Sequence, residues 1–167
     1  MQPGGTPILM GDMESHRLLG ELAVGDVVVG FTHGRVGEAR FFRPCRVLGH
    51  GSSNQELYEH HLESGGVVIC TASHEWYRPK SREARPGRGT CFRRQYRPIK
   101  LEGDYGTNTI RRVVKAQPGS SPFRRDKIVK TSYYGATKAY WLETESGNHV
   151  SGGYASRGEE SSDEQRP

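Results

Sequence analysis

The chain has 167 residues with a net charge of +5, and 33% of its residues are hydrophobic. This length suits one domain with a modest core, because an even division would leave two halves that are each too small to be stable. The sequence contains no apolar run of about 18 residues and no basic-then-apolar start. We therefore expect a cytoplasmic protein without a membrane span or a secretion signal.

Short apolar segments separated by turn residues predict an all-β fold. A mean hydropathy of −0.75, with 22 glycines and 9 prolines, also favours strands and turns over long helices. One helical turn is predicted at residues 18–22, and Gly65-Gly66 predicts a hairpin. The three adjacent valines of residues 27–29 indicate a strand buried on both faces. Strands are predicted at residues 6–10, 27–31, 41–48, 57–62, 67–71, 109–115, 128–134 and 139–144.

The positive charge is concentrated in the middle of the chain. Between Arg78 and Lys100 there are nine Lys or Arg residues against one acid, Glu83, with Tyr77 just before this stretch and Phe92 and Tyr96 interleaved in it. This pattern is typical of a nucleic-acid-binding surface. The same stretch is rich in proline and glycine, so a solvated loop is the alternative. We expect a loop-rich basic insertion over residues 78–108, and a disordered acidic tail at residues 159–167.

The cysteines and histidines predict no metal centre. Cys45, Cys70 and Cys91 are odd in number and contain no CxxC pair, so neither a disulfide framework nor a four-ligand zinc site is indicated. The histidines have no suitably spaced acidic or histidine partner for a nuclease metal. We expect three free thiols, no metal and no cofactor, in a monomeric protein.

Three stretches in a fixed order resemble the Hint domain of inteins and hedgehog autoprocessing domains. The first is GTPILM at residues 5–10 with LGELAVGDVV at residues 19–28, the second is VICTASHEWY at residues 68–77, and the third is AYWLETE at residues 139–145 with NHVSGGY at residues 148–154. The resemblance implies one Hint domain over residues 1–158. Its expected fold is an all-β horseshoe with pseudo-twofold symmetry that brings both chain ends into one cleft. Only about 60 residues separate the second and third stretches, so the resemblance is to a mini-intein without a homing endonuclease.

The resemblance implies which residues would act on the first peptide bond. Splicing begins with a Cys or Ser at the first residue, and Met1 stands there with a thioether that cannot attack a carbonyl. Thr71 and His74 fall at the family's TxxH positions, where the histidine donates to the scissile amide nitrogen and the threonine holds that amide. Without this context, a Thr-x-x-His is most often structural.

One branch of inteins lacks the first-residue nucleophile and uses an internal cysteine, together with a tryptophan two residues after the TxxH histidine. Trp76 matches that tryptophan, whereas Trp141 stands where the cysteine would be. Trp76 could instead be an aromatic residue packed at a half-exposed strand end. Cys70 cannot take over, because adjacent strand residues face opposite sides and Thr71 would face the cleft. We predict that Cys70 is a small buried thiol.

The closing segment also departs from the family pattern. The resemblance puts Arg157 at the final histidine, Gly158 at the terminal asparagine and Glu159 at the last nucleophile. Glycine has no side-chain amide to cyclise. Asn148 has that amide, but it lies too early and in an apparent turn, Ser146-Gly147-Asn148, where asparagine is favoured for backbone reasons. The family has another histidine earlier in the closing block. The resemblance puts Gly147 at that position, although a shift of two residues would place His149 there.

These departures predict an intein-like domain that is splicing-deficient or limited to residual cleavage, with its own flanking polypeptide as partner. An origin in a phage or bacterial mobile element is implied by the resemblance alone. The alternative is a small basic β protein that binds nucleic acid weakly. Its binding residues would be the segment 78–97 and Arg111, Arg112, Arg124 and Arg125.

Overall fold

The computed structural model describes residues 1–31, 42–78, 96–101, 108–114 and 123–158. Most of the predicted basic insertion, Cys91 and the predicted acidic tail at residues 159–167 lie outside these ranges. In the described part of the chain, no helix has the length and apolar character needed to cross a membrane.

The described residues form antiparallel β-strands and a single 3₁₀ turn, Leu19–Glu21, within the predicted helical turn. The strands are β1 (Gln2–Pro3), β2 (Pro7–Leu9), β3 (His16–Leu18), β4 (Val27–Phe31), β5 (Phe42–Leu62), β6 (Val67–Cys70), β7 (Glu75–Tyr77), β8 (Tyr96–Pro98), β9 (Thr109–Val113), β10 (Phe123–Thr144), β11 (Asn148–Ser151) and β12 (Tyr154–Arg157). They follow one path in the order β3-β2-β11-β12-β9-β10-β5-β4, with β1 beside β10, β6 beside β5, and β7 beside β12 and β8. The all-β prediction is confirmed. The pseudo-twofold symmetry stays a prediction.

Two long strands correct the predicted strand list. Residues 42–48 of the segment predicted at 41–48 belong with the segment 57–62 to one 21-residue strand, β5. The segments predicted at 128–134 and 139–144 belong to the 22-residue strand β10. The two pair along most of their length, with register shifts at three places, including the step between Tyr133 and Gly135. Such irregularities bend a ribbon without ending it. The glycines and polar residues that separated the predicted segments therefore mark bends within β5 and β10.

Two glycine turns set the register of the strands that follow them. Gly65 has a φ of +86° in the predicted hairpin between β5 and β6. Gly152 and Gly153 have φ values of +57° and +83° between β11 and β12. Two successive positive φ angles are those of a type I′ hairpin, which side chains other than glycine, asparagine and aspartate rarely adopt. This turn pairs Ser151 with Tyr154 and so fixes every later residue of β12.

Three apolar clusters form the core. One lies beneath the N-terminal strands and comprises Ile8, Leu19, Leu22, Val28, Cys45, Val47 and Leu142. A second comprises Leu62, Val68, Cys70, Trp76, Ile99, Ile110, Ile128 and Tyr154. A third, largely aromatic, comprises Phe31, Tyr77, Tyr96, Phe123 and Ala155. Val27 is 40% exposed, so the prediction that the three valines are buried on both faces is wrong for the first of them.

One further prediction is corrected, and one gains a detail. Strand β8 lies within the loop-rich insertion predicted over 78–108, which otherwise stays a prediction; β8 pairs Tyr96 with Tyr77 and so supplies an aromatic ring to the core. Asn148 begins β11 instead of lying in a turn, and the turn itself occupies residues 145–147. The Asn148 side chain is fully buried, and its hydrogen bonds to the Phe31 backbone are the reason for an asparagine at this position.

Candidate active site

The first residue of the chain is held between two strands. The backbone of β1 pairs Gln2 with Tyr140 and Pro3 with Ala139, and the Thr71 N–H donates to the Met1 carbonyl at 2.9 Å. Buried Gln2 accepts a hydrogen bond from Ser151 at 2.8 Å. These contacts order a strand of only two residues, which could not persist by itself in water.

The Met1 nitrogen lies against the two predicted TxxH residues. This nitrogen is 3.1 Å from Thr71 Oγ1 and 3.2 Å from His74 Nδ1. Thr71 and His74 are 7% and 3% exposed, so both act largely out of water. The arrangement presents one hydroxyl and one imidazole to the backbone nitrogen of residue 1. Chemically, it can hold that nitrogen and exchange a proton with it.

A tight turn brings Thr71 and His74 together. Strand β6 ends at Cys70, the His74 N–H donates to the Thr71 carbonyl at 3.1 Å, and β7 begins at Glu75. Because side chains alternate along a strand, Cys70 points into the second apolar cluster while Thr71 reaches Met1. Cys70 is 1% exposed, which confirms its prediction as a buried thiol; Cys45 is also buried, and neither forms a disulfide.

His74 also contacts the closing strand and an aromatic ring. Its Nε2 lies 2.8 Å from Ser156 Oγ in β12, and the Trp76 ring packs edge-on with centroids 4.9 Å apart. Trp76 is completely buried and also contacts Tyr154, so the alternative of a half-exposed strand end is wrong. Sequence reasoning missed Ser156. Its position becomes visible once the Gly152-Gly153 hairpin is recognised, because that register places Ser156 opposite Trp76 in β7.

A second histidine lies close behind the site. His60 is 1% exposed in β5, and its Nδ1 lies 2.9 Å from Thr131 Oγ1. Burial, with a smaller contribution from the charge on His74, lowers the pKa of His60 from 6.5 to about 4. His60 is therefore a neutral buried residue near neutral pH.

Trp141 lies next to Met1 along the sheet but packs away from it. Continuing the β1–β10 register by one residue puts the Met1 backbone beside Trp141. The indole ring rests on β5, where a Cβ added to Gly49 or Gly51 would meet it at 2.9 or 2.7 Å. Two glycines on the neighbouring strand thus provide the space for a tryptophan at this position. The indole has no nucleophilic atom.

The closing residues make structural contacts. Arg157 forms an ion pair with Glu75 of β7, and the Gly158 N–H donates to the Gly147 carbonyl at 3.0 Å. Asn148 is saturated: its Oδ1 accepts from the Phe31 N–H and its Nδ2 donates to the Phe31 carbonyl, each at 2.8 Å. An amide held in this way is not free to cyclise. The structure therefore brings together Met1, Thr71, His74 and Trp76, and gives Arg157, Gly158 and Asn148 other partners.

Comparisons with known proteins identify the architecture. The Ssp DnaB mini-intein variant M86, as its G-1F mutant, superposes with a TM-score of 0.72 at 12% identity, over 95% of this chain and 98% of that one. A DnaB intein from Synechocystis sp. PCC 6803 gives 0.68 at 12% identity over 95% and 98%, and the gp41-1 intein gives 0.63 at 15% identity over 93% and 96%. The fold is the Hint fold of inteins. No protein-family model and no curated protein sequence matches the chain.

The Hint fold explains why the first residue approaches β12, the last described strand. The first strand lies beside β6 and β10, and the last strand lies beside β7, so Met1 and Ser156 contact the same histidine from opposite sides. Among the described residues, no group of three or more His, Cys, Asp or Glu side chains is arranged to hold a metal ion. The side chains that face the Met1 nitrogen are the Thr71 hydroxyl and the His74 imidazole.

Proposed function

We propose that the chain is an intein-like autoprocessing domain that does not splice and whose chemistry is limited to slow cleavage of the peptide bond preceding Met1. The observation that supports this proposal is the position of the Met1 nitrogen between Thr71 Oγ1 and His74 Nδ1. A residue joined to Met1 would convert this nitrogen into that of a scissile amide. Thr71 would hold the amide, and His74 would supply the proton that the leaving nitrogen needs.

The proposed limit on this chemistry comes from the missing nucleophiles. The Met1 thioether cannot form a thioester, and its sulfur accepts a hydrogen bond from Ser53 Oγ at 3.4 Å. Water or an added thiol would have to attack the carbonyl instead. Gly158 has no side-chain amide, so release at the other end by cyclisation is not available to it. Without both steps, the two flanks cannot be joined.

The test is a fusion with a different tag at each end. We expect slow release of the N-terminal tag over about a day, at a rate that His74→Ala lowers roughly 10²-fold, the usual size of a general-acid contribution. The matched control is His61→Ala, because it removes a histidine of β5 whose side chain is 38% exposed. A product in which both tags are ligated would refute the proposal. Release that is equal in the His74 and His61 variants would refute the role of His74.

A gain-of-function variant tests the assignment of position 1. Met1→Cys places a thiol beside the bond that Thr71 and His74 face, so added thiol should release the N-terminal tag much faster than in the parent chain. The same variant with His74→Ala should lose this gain. If Met1→Cys is no faster than the parent, the pocket does not orient a carbonyl at residue 1, and the proposal fails.

We propose nucleic-acid binding as a second candidate function, and one observation favours it. The register of β9 and β10 pairs Arg124 with Arg112 and Arg125 with Arg111. Like charges directly opposite each other in a sheet are unfavourable, so each pair suits a face that receives an anion. Because side chains alternate along a strand, the two pairs lie on opposite faces of the sheet. Arg78, the first residue of the basic stretch, has a structural contact instead: it donates to the Thr109 carbonyl at 2.9 Å.

Salt dependence tests this second candidate. A short fluorescent DNA duplex should bind weakly at low salt, and Arg112→Ala with Arg124→Ala should reduce the slope of log K against log salt by up to about 1.8, or about 0.9 for each phosphate contact. Lys138→Ala is the control, since Lys138 lies near the other end of β10 over the Tyr140 ring. Absence of any binding at low salt, or an unchanged slope in the double variant, would contradict it.

A further inference from the structure

The two ring nitrogens of His74 have different partners, and these partners decide its tautomer. Nδ1 is 3.2 Å from the Met1 nitrogen, and Nε2 is 2.8 Å from Ser156 Oγ. Neither an ammonium group nor a peptide amide nitrogen can accept a hydrogen bond, so an Nδ1–H of neutral His74 would point at a group that cannot accept it. The ring proton then resides on Nε2 and is donated to Ser156.

Ser156 is suited to accept that proton. It is completely buried, and its Oγ also lies 3.4 Å from the Arg157 carbonyl, to which the hydroxyl hydrogen can point. The lone pairs of Oγ then face His74. On the adjacent face of the imidazole lies Trp76, whose Nε1 has no hydrogen-bond partner among the described residues and can only donate. The hydroxyl of Ser156 is thus the contact that satisfies the Nε2 edge of the ring.

We propose that Ser156 is a positioning residue that locks His74 in the Nε2–H tautomer and so aims Nδ1 at the residue 1 nitrogen. The effect of this role on cleavage rests on the proposed function, whereas the NMR test of the tautomer does not. When His74 gains a proton, that proton can only be on Nδ1, because Nε2 already carries one that is bound to Ser156. The acid that faces the scissile bond is then fixed by a residue of the closing strand.

The resulting cleavage step balances. Water or a thiol forms a bond from its oxygen or sulfur to the carbonyl carbon that precedes Met1. The carbon–nitrogen bond breaks, its electron pair stays on the Met1 nitrogen, and that nitrogen takes the proton from His74 Nδ1. The proton lost by the nucleophile returns to Nδ1. Ser156 keeps its hydrogen bond to Nε2 throughout, so it neither gains nor loses a proton.

This contact links the two ends of the domain. Ser156 is two residues before Gly158, and β12 also carries Arg157, which is paired with Glu75 immediately after His74 in sequence. A displacement of the closing strand would remove the acceptor from Nε2. The orientation of the N-terminal acid therefore depends on the C-terminal strand being in place.

The test measures the imidazole itself. In the intact chain with ¹⁵N-labelled histidine, we expect the Nε2 and Nδ1 signals of His74 to show a single Nε2–H tautomer. In Ser156→Ala, both signals should move toward intermediate values, because a buried Nε2–H without an acceptor no longer favours one tautomer. The control is Ser151→Ala, which removes another completely buried hydroxyl, one that donates to Gln2 and not to His74. Ser151→Ala should leave the His74 signals unchanged.

Tag release provides the second readout. Loss of one hydrogen bond to a buried ring should slow release of the N-terminal tag about tenfold in Ser156→Ala, and Ser156→Thr should restore part of it. An Nδ1–H tautomer in the parent chain, or His74 signals that are the same in parent and Ser156→Ala, would overturn the inference. If the parent releases no tag while its NMR signals behave as expected, the proposed function fails and the role of Ser156 in fixing the tautomer stands. Thermal unfolding of each variant identifies any variant that is not folded. If Ser156→Ala is not folded, the tautomer of His74 in the parent chain decides whether the inference stands.

Discussion

Buried His60 should make the stability of the protein depend on pH. Its pKa is about 4 in the folded chain and 6.5 when exposed, with burial as the main cause and the charge on His74 as the lesser one. Between these values the unfolded chain binds a proton that the folded chain does not. Stability is therefore fully present above pH 6.5 and is lost as the pH falls toward 4. At about 1.4 kcal/mol per pKa unit, the loss in the free energy of unfolding is about 3 kcal/mol at most.

The assay is urea unfolding of the parent chain and of His60→Gln from neutral pH down to about pH 4. Glutamine does not titrate, so the parent should lose up to about 3 kcal/mol more than the variant over this interval. The comparison uses only the slopes of the free energy of unfolding against pH. The cost of losing the Thr131 contact in His60→Gln, which is the same at every pH, therefore cancels. His61→Gln is the control, because its side chain is 38% exposed, and it should retain the parent slope. Parallel slopes for the parent and His60→Gln would refute the reasoning.

Two further predictions concern stability. Asn148→Ala should lower the free energy of unfolding by roughly 2–4 kcal/mol in urea unfolding, because it leaves the buried N–H and carbonyl of Phe31 without their side-chain partner; a loss below that of an ordinary surface substitution would contradict this. Gly51→Ala should cost about 1–3 kcal/mol through its clash with Trp141, and Trp141→Leu should relieve most of that cost in the double variant. Strictly additive effects of these two substitutions would show that the clash is not the cause.

The fold was predictable where the sequence pattern is local. The apolar run before Thr71, the Gly65-Gly66 turn and the segment Val27–Phe31 each specify a strand or hairpin from a few neighbouring residues. The long strands were not predictable in this way. Their pairing extends through glycines and polar residues, and only the partner strand, which lies about 70 residues away for the pair His60 and Thr131, keeps the chain extended there.

The candidate site was predictable in part for the same reason. Thr71, His74 and Trp76 are recognisable because their spacing resembles a family motif, and the turn that joins the first two is local. Ser156 and His60 have no such motif. Each becomes relevant through a strand register, Ser156 through the hairpin that precedes it and His60 through the pairing of β5 with β10. A side chain whose role depends on a distant neighbour has no signature in its own segment.

The two long strands also determine how the molecule can come apart. β5 supplies Cys45 and Val47 to one apolar cluster and Leu62 to another. β10 supplies one residue to each of the three clusters: Ile128, Leu142 and Phe123. Opening any one cluster therefore breaks a ribbon on which the others depend. The described region should exchange its core amide hydrogens as one cooperative unit, with no half of the domain that survives the loss of the other.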